Sequence, residues 1–230
     1  MGIERDEYKG DSMEIGEMLG NSFEYTKDGL MGKWVKWILL IVCYIIFPLM
    51  GGYVVRIYKG TTPAPELDDW VGLFVDGIKL LIIGFVYAIP VILVGIFLGV
   101  GSFFAISTVD YTPTAGGIGA LMLGLLVVFI LAIIISLIAI IGMVRFARKD
   151  SMGEAFNFSA ILETIGTIGW IDYIVALIVL WIVVLGVNFI LGFIMAIPVL
   201  GWLIYLFALP AIAIFSARYM TLLYESGAPV

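Results

Sequence analysis

The sequence has no histidine among its 230 residues. That removes the side chain most used for acid–base work near neutral pH, the commonest metal ligand and haem ligation by His. It has one cysteine, Cys43, so neither an internal disulfide nor a CxxC metal site can form. A reactive thiolate needs electropositive, partly exposed surroundings. Cys43 lies in an apolar stretch and reads as a small packing residue. Basic charge is scarce: 12 Lys and Arg against 18 Asp and Glu give a net charge of −6. A nucleic-acid partner or a polybasic, anionic-lipid-binding surface would need the opposite balance. Walker loops, dinucleotide fingerprints, nucleophile elbows and HExxH are also missing. No catalytic residue, cofactor or metal site is therefore expected.

Charge is absent from four long runs: Trp37–Val55, Leu80–Val109, Tyr111–Val144 and Tyr173–Ala217. A membrane crossing needs about 20 apolar residues. The last run is 45 residues long, enough for two crossings with a turn at Ile197-Pro198-Val199-Leu200-Gly201. Hydrophobic residues make up 63% of the chain, against about 45–50% in soluble domains. The fold class is therefore all-α, a polytopic helical membrane bundle with short interfacial amphipathic helices. Residues 1–36 form a polar N-terminal segment with an amphipathic helix, and 37–230 form the membrane domain. About five membrane segments are expected: 35–58, 78–107, 117–146, 171–196 and 201–223. The first 30 residues carry eight acids, from Glu4 to Asp28. That is unlike a cleaved signal peptide, so the first apolar segment is expected to act as an uncleaved anchor.

Three polar-to-apolar transitions look alike. Asp11-Ser12-Met13-Glu14 leads into Ile15, Met18, Leu19 and Phe23. Pro63-Ala64-Pro65-Glu66 leads into Leu67, Trp70, Val71, Phe74 and Ile78. Ser151-Met152-Gly153-Glu154, with capping-box spacing, leads into Phe158, Ile161, Leu162, Ile165 and Ile168. Each apolar set falls on one helical face. The reading is three helices lying in the membrane interface, with Trp70 and Trp170 at headgroup level. The alternative is ordinary connecting helices packed on the bundle. Three apolar segments also close on an arginine: Arg56, Arg145 and Arg218. Together these features suggest three degenerate units, 11–60, 61–149 and 150–230.

Positive-inside places the loops bearing Arg56 and Lys59, and Arg145, Arg148 and Lys149, in the cytoplasm together with the C-terminus. The Asp110 loop and the Pro198 turn carry no Lys or Arg. Segment one has lysines on both sides, so it either spans or folds back near Pro48. A full span is preferred, because a re-entrant backbone needs protein or a cavity around it. Pro90 inside segment two is expected to kink it.

The stretch Gly51-Gly52-Tyr53-Val54-Val55-Arg56 is followed by Pro65-Glu66-Leu67-Asp68-Asp69-Trp70. Then come Leu73-Phe74, Asp76-Gly77-Ile78-Lys79 and Tyr87. With Trp170-Ile171-Asp172-Tyr173 and the closing Arg218 to Tyr224, this resembles a family of multi-pass membrane proteins. That family is common in archaea, is also found in bacteria, and is catalogued as domain of unknown function 4013. The resemblance runs from about Phe23 onward. It implies a membrane location and brings no catalytic residues.

The densest polar cluster is Arg56, Lys59, Asp68, Asp69, Asp76 and Lys79. Its acids could bind a cation or work as an acid–base pair. Helix capping by Asp68 and Asp69, and pairing of Asp76 with Lys79, is the preferred reading. Within the spans Asn188 is the strongest polar group, with Ser102, Ser107 and Ser136 weaker. Asn188 is expected to bond another helix. Gly95 and Gly99 form a GxxxG that would seat a neighbouring helix or a second protomer.

The functional expectation is a non-enzymatic membrane protein that assembles, binds a partner or organises the membrane. Its partners would be membrane lipids, a second copy or another membrane protein. The alternative is a carrier or pore for a lipid or weakly polar solute, suggested by Pro48, Pro90, Pro210 and Gly-rich spans. An intramembrane enzyme built on Asp68, Asp69 and Asp76 comes third.

Overall fold

The computed structural model describes residues 15–106 and 115–228. Asp11 to Glu14, Ser107, Asp110 and the Pro113-Thr114 turn lie outside the described residues, as does the side chain of Ser102. Among the described residues there are eight α-helices, one 3-10 turn and no strand. They are α1 Ile15–Leu30, α2 Trp34–Ile45, α3 Phe47–Tyr58, α4 Trp70–Ile106, α5 Ala115–Lys149, α6 Phe158–Ile168, α7 Trp170–Ile194 and α8 Leu200–Glu225. The 3-10 turn, Met152–Phe156, joins α5 to α6.

Helices α4, α5, α7 and α8 are each long and apolar enough to cross a bilayer. The first segment is different. It is two helices, α2 and α3, whose axes differ by 120°. The break falls at Ile46, because Pro48 sits in the first turn of α3, where its missing amide costs nothing. The preferred full span is therefore not one continuous helix. Twelve residues rise about 18 Å, so neither helix alone crosses a hydrocarbon layer of about 30 Å.

Glycine makes this bend packable. A methyl group on Gly52 would overlap the Leu73 carbonyl, and one on Gly77 would overlap the Pro48 carbonyl. Helices α3 and α4 thus cross backbone to backbone, the arrangement small residues permit. Leu73 and Gly77 are buried there, whereas Trp70, Val71, Phe74 and Val75 face outward. Trp70, Val71 and Phe74, read as one face of an interfacial helix, lie on the outer side of α4. No separate interfacial helix precedes segment two, since α4 runs unbroken from Trp70 through Pro90.

The other two transitions do give separate helices. Along α1, Met18, Ser22, Tyr25, Thr26 and Gly29 are buried, while Phe23 is exposed. This is the packed alternative, with α1 lying along α8. Ser22 Oγ donates to the Met18 carbonyl at 2.7 Å, and Thr26 Oγ1 to the Ser22 carbonyl at 2.7 Å. Hydroxyls that return to their own backbone can be buried without another partner. Helix α6 is capped by Asn157, whose Oδ1 accepts from the Ala160 amide at 3.3 Å. Ser151 makes no capping bond, so the expected capping box does not form. Glu154 is drawn away to Arg145 instead.

The core lies toward one end of the bundle. One cluster joins α1, α5, α6, α7 and α8 through Met18, Ile141, Ile161, Tyr173 and Tyr219. A second joins α1, α2, α3 and α8 through Tyr25, Leu40, Tyr53 and Ile214. A third joins α3, α4, α5 and the 3-10 turn through Val55, Ile83, Phe146 and Ala155. Tyr58 packs against all three.

Candidate functional site

The charged side chains gather where these clusters meet, and three arginines organise them. Arg56, at the end of α3, reaches the strand of chain leading into α4. Its Nη1 donates to the Glu66 carbonyl at 3.1 Å, and its Nη2 to the Asp68 carbonyl at 2.9 Å and the Asp69 carbonyl at 3.3 Å. It also pairs with the Asp68 carboxylate. A planar five-donor fork suits this work better than a lysine. Asp69, at φ 42°, turns its Oδ1 onto the Gly72 amide at 3.1 Å and closes the first turn of α4.

Arg145, near the end of α5, pairs with Glu154 in the 3-10 turn. The guanidinium and the Asn157 amide hold the Glu154 carboxyl below its ordinary value of 4.5. Arg218, on α8, is buried. Its Nε donates to Asn21 Oδ1 at 3.0 Å, and its guanidinium lies 4.9 Å from the centre of the Tyr25 ring. In sequence terms each unit's closing arginine holds the start of another unit. Arg56 holds the entry to α4, Arg145 the entry to α6 and Arg218 holds α1.

The remaining cluster members pair off. Asp76 lies 3.2 Å from Lys79 and 3.4 Å from Lys59, and Lys59 also lies 3.5 Å from Asp150. Acids and bases alternate, which is poor preparation for a cation. Among the described residues no group of three or more acids or Cys could hold a metal ion. A second network escaped the sequence reading. Glu66 lies 3.2 Å from Lys36 and 3.8 Å from Lys33, and buried Lys36 also donates to the Ala64 carbonyl at 3.2 Å. The sequence signal was the alternation Lys33-Trp34-Val35-Lys36-Trp37, amphipathic at a three-residue spacing.

The expected packing residues behave differently. Asn188 Nδ2 donates to the Val184 carbonyl at 2.8 Å, within its own helix rather than to another. The i−4 carbonyl is simply the nearest acceptor. A Cβ on Gly95 would lie 3.9 Å from Val128, and one on Gly99 would meet nothing within 4 Å. Within one chain neither glycine of the GxxxG meets a helix backbone closely. Close approaches between helices occur instead at Gly52 and Gly77, and at Gly142, where a Cβ would overlap the Tyr87 hydroxyl. Glycine spacing within one helix does not reveal these, because the partners lie on different helices.

Four or five apolar crossings, with paired charges gathered at one end of their core, define a multi-pass helical membrane protein. The chain belongs to the family described as "Protein of unknown function (DUF4013)", whose model matches residues 37–199. Helices α1 and α8 both lie wholly outside the matched stretch. No curated protein and no solved structure matches the chain.

Proposed function

We propose that this is a non-enzymatic membrane protein that assembles or organises partners through the outer parts of its two long hairpins, α4–α5 and α7–α8. The observation that carries this reading is where burial stops. Past Tyr87 no residue of α4 is buried as far as Gly99, and from Ile118 to Ile138 of α5 only Gly124 is. Phe97, Leu123, Phe129, Trp181 and Phe193 all stand exposed there. Lipid covers such faces adequately, but small residues such as Gly95 and Gly99 on an open face also allow a second helix to approach closely. The partner favoured is a second copy of the chain.

Our reading of the topology is a cell-membrane protein with the C-terminus and all basic loops in the cytoplasm. Folding back at Ile46 supports it, because the lysines before α2 and the Arg56 loop then share one side. Labelling of Ser151→Cys and Val199→Cys in a Cys43→Ser background tests the orientation. Only the Val199→Cys protein should react with an impermeant thiol reagent added outside intact cells; the reverse pattern sinks the topology. Assembly is tested by Phe97→Cys in the same background. Oxidation should give a disulfide-linked dimer in membranes, and a purely monomeric product in both membranes and native mass spectra would overturn it.

A carrier or pore remains the second reading, and one feature favours it: an open apolar groove beside α1.

A further inference from the structure

The groove lies between α1, the start of α2, α7 and α8, and has a volume of about 520 Å³. That is within the range of small-molecule sites, about 300–1,000 Å³. Its walls are Phe23, Leu30, Val184, Val187, Ile212 and Phe215, among other apolar side chains. The polar atoms along it are already engaged. Thr26 donates to its own helix at 2.7 Å, and Trp37 Nε1 donates to the Phe207 carbonyl at 2.9 Å. The walls therefore ask for no hydrogen bond. One charge borders the groove, that of Lys27 in the last turn of α1. Its sequence neighbours Glu24 and Asp28 are exposed and do not line it. Among the described residues no carboxylate lies within ion-pairing distance of Lys27. Glu66, by contrast, takes Lys33 and Lys36.

We propose that this groove holds one acyl chain of an anionic phospholipid from the surrounding bilayer, with the Lys27 ammonium against the headgroup phosphate. The groove is open to the outside of the bundle, so a lipid can enter it from the membrane. A long, unbranched apolar chain satisfies walls with no free donor. A lysine stem can lie along apolar surface while its ammonium reaches the phosphate level. This is one lysine at one groove, and it needs no polybasic surface. A contact between protomers along the α4–α5 hairpin would not involve any wall of this groove.

The test is native mass spectrometry of the full chain taken from bilayer discs. These would contain equal phosphatidylglycerol and phosphatidylcholine with identical acyl chains. The wild-type monomer should retain one phosphatidylglycerol in preference to phosphatidylcholine. Lys27→Gln should reduce that preference about fivefold, the size expected of one lysine at an anionic surface. Val184→Phe fills the groove from α7 and should lose the bound lipid of either headgroup while the protein stays monodisperse. Should Val184→Phe fail to fold, Val187→Phe, at a more exposed wall position, carries the same expectation. Equal retention of the two lipids by the wild type would overturn the assignment. So would retention unchanged by Lys27→Gln, or full retention by a folded groove-filling variant.

Discussion

The α3–α4 crossing and the outer α4–α5 hairpin use glycine in opposite ways. At Gly52 and Gly77 two backbones touch, and any Cβ would strike a carbonyl. At Gly99 a Cβ would meet nothing within 4 Å, and at Gly95 only the Val128 side chain at 3.9 Å. Both regions are rich in glycine. What differs is the neighbour. In lipid there is no hydrophobic force pulling one apolar helix onto another, so contact depends on shape and on polar ties. The inner region has polar ties: Arg56, Arg145 and Arg218 fasten the helices there. Among the described residues of the outer α4–α5 hairpin no side chain ties one helix to the other, and few are buried. Charge at the ends thus decides which of two similar glycine surfaces becomes an interface within the chain.

The largest expected effect breaks the inner region outright. Gly52→Leu inserts a side chain where even a methyl overlaps the Leu73 carbonyl. Overpacking of this kind costs about 1–3 kcal/mol where neighbours can shift, and more where the obstacle is backbone. We expect no monodisperse protein on size exclusion in mild detergent, and the same for Gly77→Leu. Wild-type behaviour of either variant would show that the α2–α3 bend is not packed against α4 as described.

The second effect tests the polar ties. Arg218→Gln removes the bond to Asn21 and the stacking on Tyr25. A charged hydrogen bond and a cation–π contact together are worth roughly 2–4 kcal/mol. The loss falls on the α1–α8 contact, so limited proteolysis should cut between α1 and α2 faster than in the wild type, before general unfolding. Cleavage at the wild-type rate would mean α1 is held by Met18 and its apolar neighbours alone.

Much of this arrangement was readable beforehand. Charge-free runs of sufficient length dictate the four long helices, because an unsatisfied backbone in lipid leaves only helix as an option. The arginines that close three apolar segments were also visible. What could not be read was the partner of each. Arg218 and Asn21 are far apart in sequence, and neither carries a local signal that names the other. The stretch from Leu67 to Ile78 reads as a separate interfacial helix, but from Trp70 onward it is the start of α4. In a membrane the more apolar side can face outward, while Gly77 and Asp76 face protein. The first segment was ambiguous because Pro48 can break a helix or begin one.

A third, smaller effect concerns the Arg145 tie. The folded Glu154 carboxyl lies below its ordinary value of 4.5, held there first by its bond to Arg145. A depressed carboxyl contributes stability that is present above the ordinary value and is lost as pH falls through the folded one. Wild type should therefore unfold at a higher temperature than Glu154→Gln at neutral pH. That gap should close in acid well below 4.5. A gap that persists in acid would assign the effect to packing of the 3-10 turn rather than to the ion pair.

The smallest effect on folding is expected at the outer glycines, and it bears most on function. A Cβ on Gly84 would lie 3.7 Å from Met143, and one on Gly95 would lie 3.9 Å from Val128. Both are ordinary contacts with flexible or lipid-facing neighbours. Gly84→Leu and Gly95→Leu should therefore express and run alike as folded protein, well apart from Gly52→Leu. The expectation from GxxxG alone was a worse outcome for Gly95. The geometry removes that expectation for a single chain and transfers it to a contact between chains. If two copies meet along α4, Gly95→Leu forces their backbones apart and shifts a dimer to monomer, while Gly84→Leu, nearer the inner core, leaves the dimer in place. If neither variant changes the oligomeric state, the outer face of α4 is a lipid surface, and assembly must be sought on the α7–α8 hairpin.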